Sequence, residues 1–118
     1  MSQTGESGDI ETLRNIVRRD QTWDRMAAKW GVQNPVPPWK TSLDGMCDAL
    51  DRAACSADIP TFKERRDEED VLSATVYADV PYPESQLVAL AHSLVSRGVI
   101  DEAELRERVA AVRRRLEA

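Results

Sequence analysis

Three features of this 118-residue sequence predict an all-α fold. Glycine is scarce, five in all, while the helix formers Ala, Leu, Glu and Arg dominate. No stretch alternates apolar and polar residues as a half-buried strand does. Apolar residues instead recur at spacings of three and four, which line them up on one helical face. The prediction is a small helical domain of about five helices, ending in an antiparallel helical hairpin and carrying an extended N-terminal arm. The length suits one domain. A chain of this size buries about two-thirds of its unfolded surface, so association with another chain would help it. Residues 1–38 read as a tail, a helix and a proline-rich arm that clasps a partner. Residues 39–118 read as the helical domain itself.

Each element has its own signal. Residues 1–8 are small and polar, the composition of a disordered tail. Asp9 can cap a first helix, whose apolar face is Ile10, Leu13, Ile16 and Val17. Asp20 interrupts the stripe, which resumes at Trp23, Met26, Ala27 and Trp30 and stops at Gly31. One long helix and two short ones both fit, as do packing against the domain and clasping another subunit. Pro35, Pro37 and Pro38 exclude helix and favour an extended spacer before Trp39. The three tryptophans of so small a chain call for a surface to cover them.

Thr41 opens a second helix with Leu43, Met46, Cys47, Leu50, Ala53 and Ala54 on one face. Cys47 reads as a small buried hydrophobe. Cys55 would lie about 12 Å from it along the helix, too far for a disulfide between the two. Residues 56–60 form the closing turn. Thr61 and Glu64 have capping-box spacing, so a third helix runs from Phe62 to about Leu72. Its body is nearly all charge, from Lys63 to Asp70. That pattern reads as a solvated helix with Lys63–Asp67 and Arg65–Glu69 pairs. Pro83 suits the start of a fourth helix with Glu84 in its first turn. Leu87, Leu90, Ala91, Leu94 and Val95 form its stripe, His92 sits at the edge, and Gly98 ends it. Asp101 and Glu104 cap a last helix with Leu105, Val109, Val112 and Leu116 in register and Glu102–Arg106 and Glu104–Arg108 on its exposed face.

The net charge of −5 argues against nucleic acid, which needs a basic field. No apolar run approaches the ~20 residues of a membrane span, and no signal peptide is evident. Two thiols read as reduced suit a cytoplasmic protein. One histidine and no Cys-x-x-Cys make a zinc site improbable.

Pro81-Tyr82-Pro83-Glu84, the apolar helix from Leu87 to Arg97-Gly98, Val99-Ile100, and Asp101 through Leu105 together resemble the N-terminal helical domain of nitrile hydratase β subunits. Glu64-Arg65-Arg66, Thr75-Val76-Tyr77 and Pro81-Tyr82 resemble still more closely the β subunit of thiocyanate hydrolase, in which the nitrile hydratase β chain is divided in two. The resemblance spans about residues 39–116. It departs from the pattern at Pro83, which stands where the family has a second tyrosine, and in the missing barrel half.

The resemblance implies a β-type subunit that completes the active site of a metal-bearing α-type subunit. That partner would hold cobalt or iron through a Cys-x-x-Cys-Ser-Cys motif, which this chain lacks. A separate barrel-type subunit would replace the missing half, and the substrate would be a small nitrile or thiocyanate. The α-type cysteines are oxidised, and their oxygens accept hydrogen bonds from β-type arginines. Arginine suits that task because it keeps its charge and presents a planar fork of donors. Arg66 aligns with the family's helix-borne arginine, Arg65 is the neighbour that could share the role or pair with Glu69 instead, and Tyr82 matches a pocket-wall tyrosine. Two other readings stand beside this one: an accessory activator that inserts metal into the α-type subunit, and a helical adaptor with no link to catalysis.

Overall fold

In the computed structural model, residues 10–53 and 61–117 are described, apart from the side chain of Phe62. The expected tail, the cap at Asp9, and residues 54–60 with Cys55 and the closing turn lie outside them. Among the described residues six α-helices follow one another: α1 (Glu11–Arg18), α2 (Trp23–Trp30), α3 (Lys40–Ala53), α4 (Phe62–Ala74), α5 (Glu84–Ser96) and α6 (Glu102–Glu117). There is no strand among the described residues. The fold is all-α.

The sixth helix arises where the N-terminal stripe was interrupted. Asp20 adopts φ 54°, a left-handed conformation that ends the helical path after α1. Asparagine and aspartate tolerate this geometry better than most residues. Gly31 closes α2 with φ 72°, which glycine takes without a Cβ penalty. The peptide N–H of Trp23, an orphan donor at the start of α2, is taken up by Glu84 Oε2 at 2.5 Å. That bond ties α2 to the first turn of α5.

α5 is the central helix. Ser85, Val88, Ala89, Leu90, His92, Ser93 and Leu94 are all buried. One side, through Val88 and Ala89, packs with Ile10 just before α1, Leu13 of α1, Leu72 of α4 and Tyr77. The other, through Leu90 and Leu94, packs with Leu43 of α3, against which Trp39, Cys47, Leu50 and Ile100 rest. The N-terminal segment therefore contributes Ile10 and Leu13 to the main core, at 7% and 2% exposure.

The closest helix pair is α4 on α5, and α1 leans on both α5 and α6. Residues 97–101 connect α5 to α6, with Gly98 at φ 77°, but α6 leans on α1 more than on α5, so the expected hairpin is not established by packing. No residue of α6 is buried. It is held through Leu105, packed on the first cluster, and through Glu102 Oε2, which accepts from Thr12 N at 3.5 Å. Asp101 caps its first turn, accepting from Glu104 N at 3.0 Å.

α4 is solvated on one face, as its composition suggests, and both expected pairs, Lys63–Asp67 and Arg65–Glu69, form, but its other face is covered. Its capping box is complete: Thr61 Oγ1 accepts from Glu64 N, and Glu64 accepts from Thr61 N. Its Lys63–Asp67 pair forms on the outside at 2.7 Å. Its inner face mixes the buried Leu72 and Arg65 with the half-buried Glu68 and Glu69. Glu68 accepts from Ser93 Oγ and from Arg97 of α5, and Arg65 is 3% exposed. A charged side chain enters a core when partners on other elements neutralise it there.

Candidate functional site

The three residues singled out from the sequence meet at one place. Arg65, Arg66 and Tyr82 all line a groove of about 500 Å³ between α3, α4 and the start of α5. Three short-range constraints bring them together. The cap at Thr61 fixes where α4 begins. Leu72 and Leu43 bury against α5 and hold α4 and α3 at its flanks. The connection from Thr75 to Pro83 then returns Tyr82 to the groove, Ser85 N donating to Pro81 O at 2.8 Å.

The two arginines differ sharply within it. Arg65 donates through NH2 to Asp51 Oδ1 at 2.5 Å and through NH1 to Glu69 Oε2 at 3.4 Å. Asp51 comes from α3 and Glu69 from α4, so the guanidinium bridges two helices. Burial opposes its charge, but the bond to Asp51 and the nearby carboxylates outweigh this, and Arg65 loses its proton even less readily than an ordinary arginine. Arg66 points outward. Its side chain is 63% exposed and, among the described residues, its ion pair to Asp70 is long at 3.9 Å. Such a pair contributes little.

Tyr82 is 69% exposed. The Lys40 ammonium lies 5.7 Å from the centre of its ring, within cation–π range. Lys40 also donates to Asp44 at 2.5 Å, and this bond, reinforced by Tyr82, raises its pKa against the desolvation that would lower it. Lys40 and Asp51 were not anticipated from the sequence. The Lys40–Asp44 spacing of four was available as a signal; the Asp51–Arg65 contact, between helices, had none.

Carboxylates surround the arginines: Asp44, Asp48, Asp51, Glu69 and Asp70. Burial pushes the Glu69 carboxyl above the usual range, with Arg65 pulling the other way. Burial likewise pushes up the thiol of Cys47, again opposed by Arg65. Cys47 is half-buried against the second cluster, as a small hydrophobe would be. Its raised pKa keeps it from being a ready thiolate.

The structure holds His92 away from this groove. It is 2% exposed, and its Nδ1 lies 2.7 Å from the Tyr77 hydroxyl, the rings meeting edge to face. Among the described residues no three His, Cys, Asp or Glu side chains are grouped so as to hold a metal ion. The donor set agrees: a raised thiol and a hydrogen-bonded core histidine are poor beginnings for a transition-metal site. A second cavity of about 420 Å³ lies between α1, α6 and the start of α5, walled by Ile16, Val17, Leu87, Val112 and Leu116. None of the three candidate residues lines it.

Fold and groove together define an all-helical domain that presents an exposed arginine and tyrosine beside a buried, carboxylate-clamped arginine. The chain matches the family described as nitrile hydratase beta subunit, N-terminal, over residues 19–118. It belongs to that family. The match takes in α2 and the proline-rich stretch as well as α3 to α6. None of the curated proteins and none of the solved structures compared with it matches significantly. As a β-type chain it implies an α-type partner in a heteromeric hydratase and a metal on that partner. No helix among the described residues is long and apolar enough to cross a membrane.

Proposed function

We propose that this chain is the small β-type subunit of a nitrile hydratase or thiocyanate hydrolase type enzyme. It would complete the active site of an α-type subunit that carries cobalt or iron on a Cys-x-x-Cys-Ser-Cys motif. A separate barrel-type subunit would supply the rest of a full β chain. The observation that carries this reading is the groove on which Arg66 and Tyr82 stand exposed together, in a chain of the β-subunit family.

The bound metal supplies Lewis-acid activation on the partner's side. This chain's share is to hold and orient. Arg66 donates its planar fork to the anionic oxygens of the partner's oxidised cysteines, a charge-assisted contact that strengthens as water is excluded. Tyr82 forms a wall of the substrate pocket, with Lys40 fixing its ring. The arm within residues 1–38 lies on the partner through Trp30, 69% exposed, beside Val32 and Val36. Trp23 and Trp39 are half-buried within the chain: Trp23 donates to Asn34 O at 2.7 Å, and Trp39 packs on the second cluster.

Co-expression with an α-type and a barrel-type subunit tests the reading. The expected result is a stable complex with one metal per α-type chain that converts a small nitrile or thiocyanate. An activator would raise the metal content of the α-type subunit and then dissociate. An adaptor would leave both metal content and turnover unchanged.

A further inference from the structure

Consecutive residues on an α-helix point about 100° apart, so Arg65 and Arg66 leave α4 in different directions. The structure adds that Arg65 is already engaged. Its side chain is 4% exposed, with carboxylates from two helices on it, whereas that of Arg66 is 63% exposed. An anionic group approaching the groove meets Arg66 directly. To reach Arg65 it would have to displace Asp51, whose 2.5 Å contact is the shorter of the two that Arg65 makes.

We infer that the two arginines divide the work: Arg66 alone contacts the partner's anionic oxygens, and Arg65, clamped by Asp51 and Glu69, is a positioning residue that acts through Arg66. This rests on the function proposed above and sets aside the reading in which both arginines share one role. The physical basis is the clamp itself. Asp51 is on α3, the groove's opposite wall, and Arg65 and Glu69 are on α4. Their ion pairs fix the spacing and rotation of α3 and α4 where the hydrophobic contacts are few. Loosening the clamp lets the wall bearing Arg66 shift relative to the wall bearing Asp44 and Lys40. Polar networks between helices specify a geometry more than they add stability.

A double-mutant cycle in the assembled complex tests this, read as kcat alongside the KM for thiocyanate and for acetonitrile. Asp51→Asn alone is expected to lower kcat about tenfold, as a small misplacement of a catalytic contact does. Asp51→Glu keeps the carboxylate and is expected to recover most of the loss. In the Arg66→Lys background, Asp51→Asn is expected to add little further loss, because the planar fork it positions is already gone. Arg65→Lys should behave as Asp51→Asn does. Losses from Arg65→Lys that multiply fully with those from Arg66→Lys would overturn the inference and make Arg65 a direct contact. Asp51→Asn that lowers the melting temperature but changes kcat in neither background would also overturn it, reducing the clamp to a purely structural one. A wild-type chain that forms no active complex would overturn the proposed function and this inference with it; the wild-type control separates that outcome from the others.

Discussion

Arg65 and Arg66 are neighbours in sequence, as are Val71 and Leu72, and in each pair the helix sends one residue inward and one outward. Arg65 is 3% exposed and clamped between carboxylates, and Leu72 is 6% exposed in the main cluster. Arg66 and Val71 stand in solvent, the valine at 61%. The same residue types thus have opposite surroundings on the two faces of α4. The difference teaches that the charge-rich composition of a helix does not say which of its charges is free to act. A buried arginine is a fixed part of the wall; an exposed one has donors to offer a partner.

The largest expected effect separates the faces by burial alone. Leu72→Ala should destabilise the chain by about 2–4 kcal/mol through lost burial and the cavity left behind. Val71→Ala should stay within about 0.5 kcal/mol. Urea unfolding of the purified chain checks both, and comparable losses would show that α4 is rotated from the arrangement described.

The arginines sharpen the contrast. Arg65→Ala leaves Asp51 and Glu69 facing each other across a mostly dry site and should cost about 2–4 kcal/mol, less than for a fully enclosed pair because Asp51 reaches water. Arg66→Ala removes only a long, exposed pair and should change stability by less than about 0.5 kcal/mol. The same unfolding curves report both, and a stability loss on Arg66→Ala as large as that on Arg65→Ala would erase the distinction between the faces.

Two glutamates of α4 give a smaller effect with opposite signs. Bonds from Thr61 hold the Glu64 carboxyl below its ordinary value of 4.5. Its contribution is therefore present above pH 4.5 and lost as pH falls through the lowered value. Burial holds Glu69 above that same ordinary value of 4.5. Its contribution is full below pH 4.5 and lost as pH rises through the raised value. Thermal melts across this range should show the stability gap between wild type and Glu64→Gln widening with pH in favour of wild type, and that for Glu69→Gln moving the other way. Parallel shifts in both variants would contradict the assigned surroundings.

Local chemistry made much of the fold readable. The Thr61–Glu64 capping box, the breaks at Asp20 and Gly31, the Asp101 cap and the stripe of α5 all act within one or two turns of chain, so sequence spacing reports them. Two details of the stripes were not readable. Leu87 and Met46, on apolar faces by spacing, are 37% and 47% exposed, because a stripe states which residues align and not how far a neighbour covers them. The polar interior was hidden for a related reason. The bonds of Arg65 to Asp51, Glu68 to Ser93 and Arg97, and Tyr77 to His92 each join residues at least 14 positions apart. Spacing places Arg65, seven residues before Leu72, on the same helical face, but one apolar residue among charges is too weak a stripe to announce that the face is buried. The resemblance could name the candidate residues Arg65, Arg66 and Tyr82; only contacts between elements, such as that of Arg65 with Asp51, assign them different surroundings.

The most direct test of the account is Arg66→Lys in the co-expressed complex, with turnover, metal content and subunit composition measured together. Lysine keeps the charge and loses the planar fork. A charge-assisted bond of about 1.5–3 kcal/mol made in the transition state corresponds to a fall of about one to two orders of magnitude in turnover. The account predicts that fall with metal content and assembly unchanged, since Arg66 supports no part of the fold. Full turnover in Arg66→Lys would contradict it and return the outer face of α4 to an ordinary solvated surface.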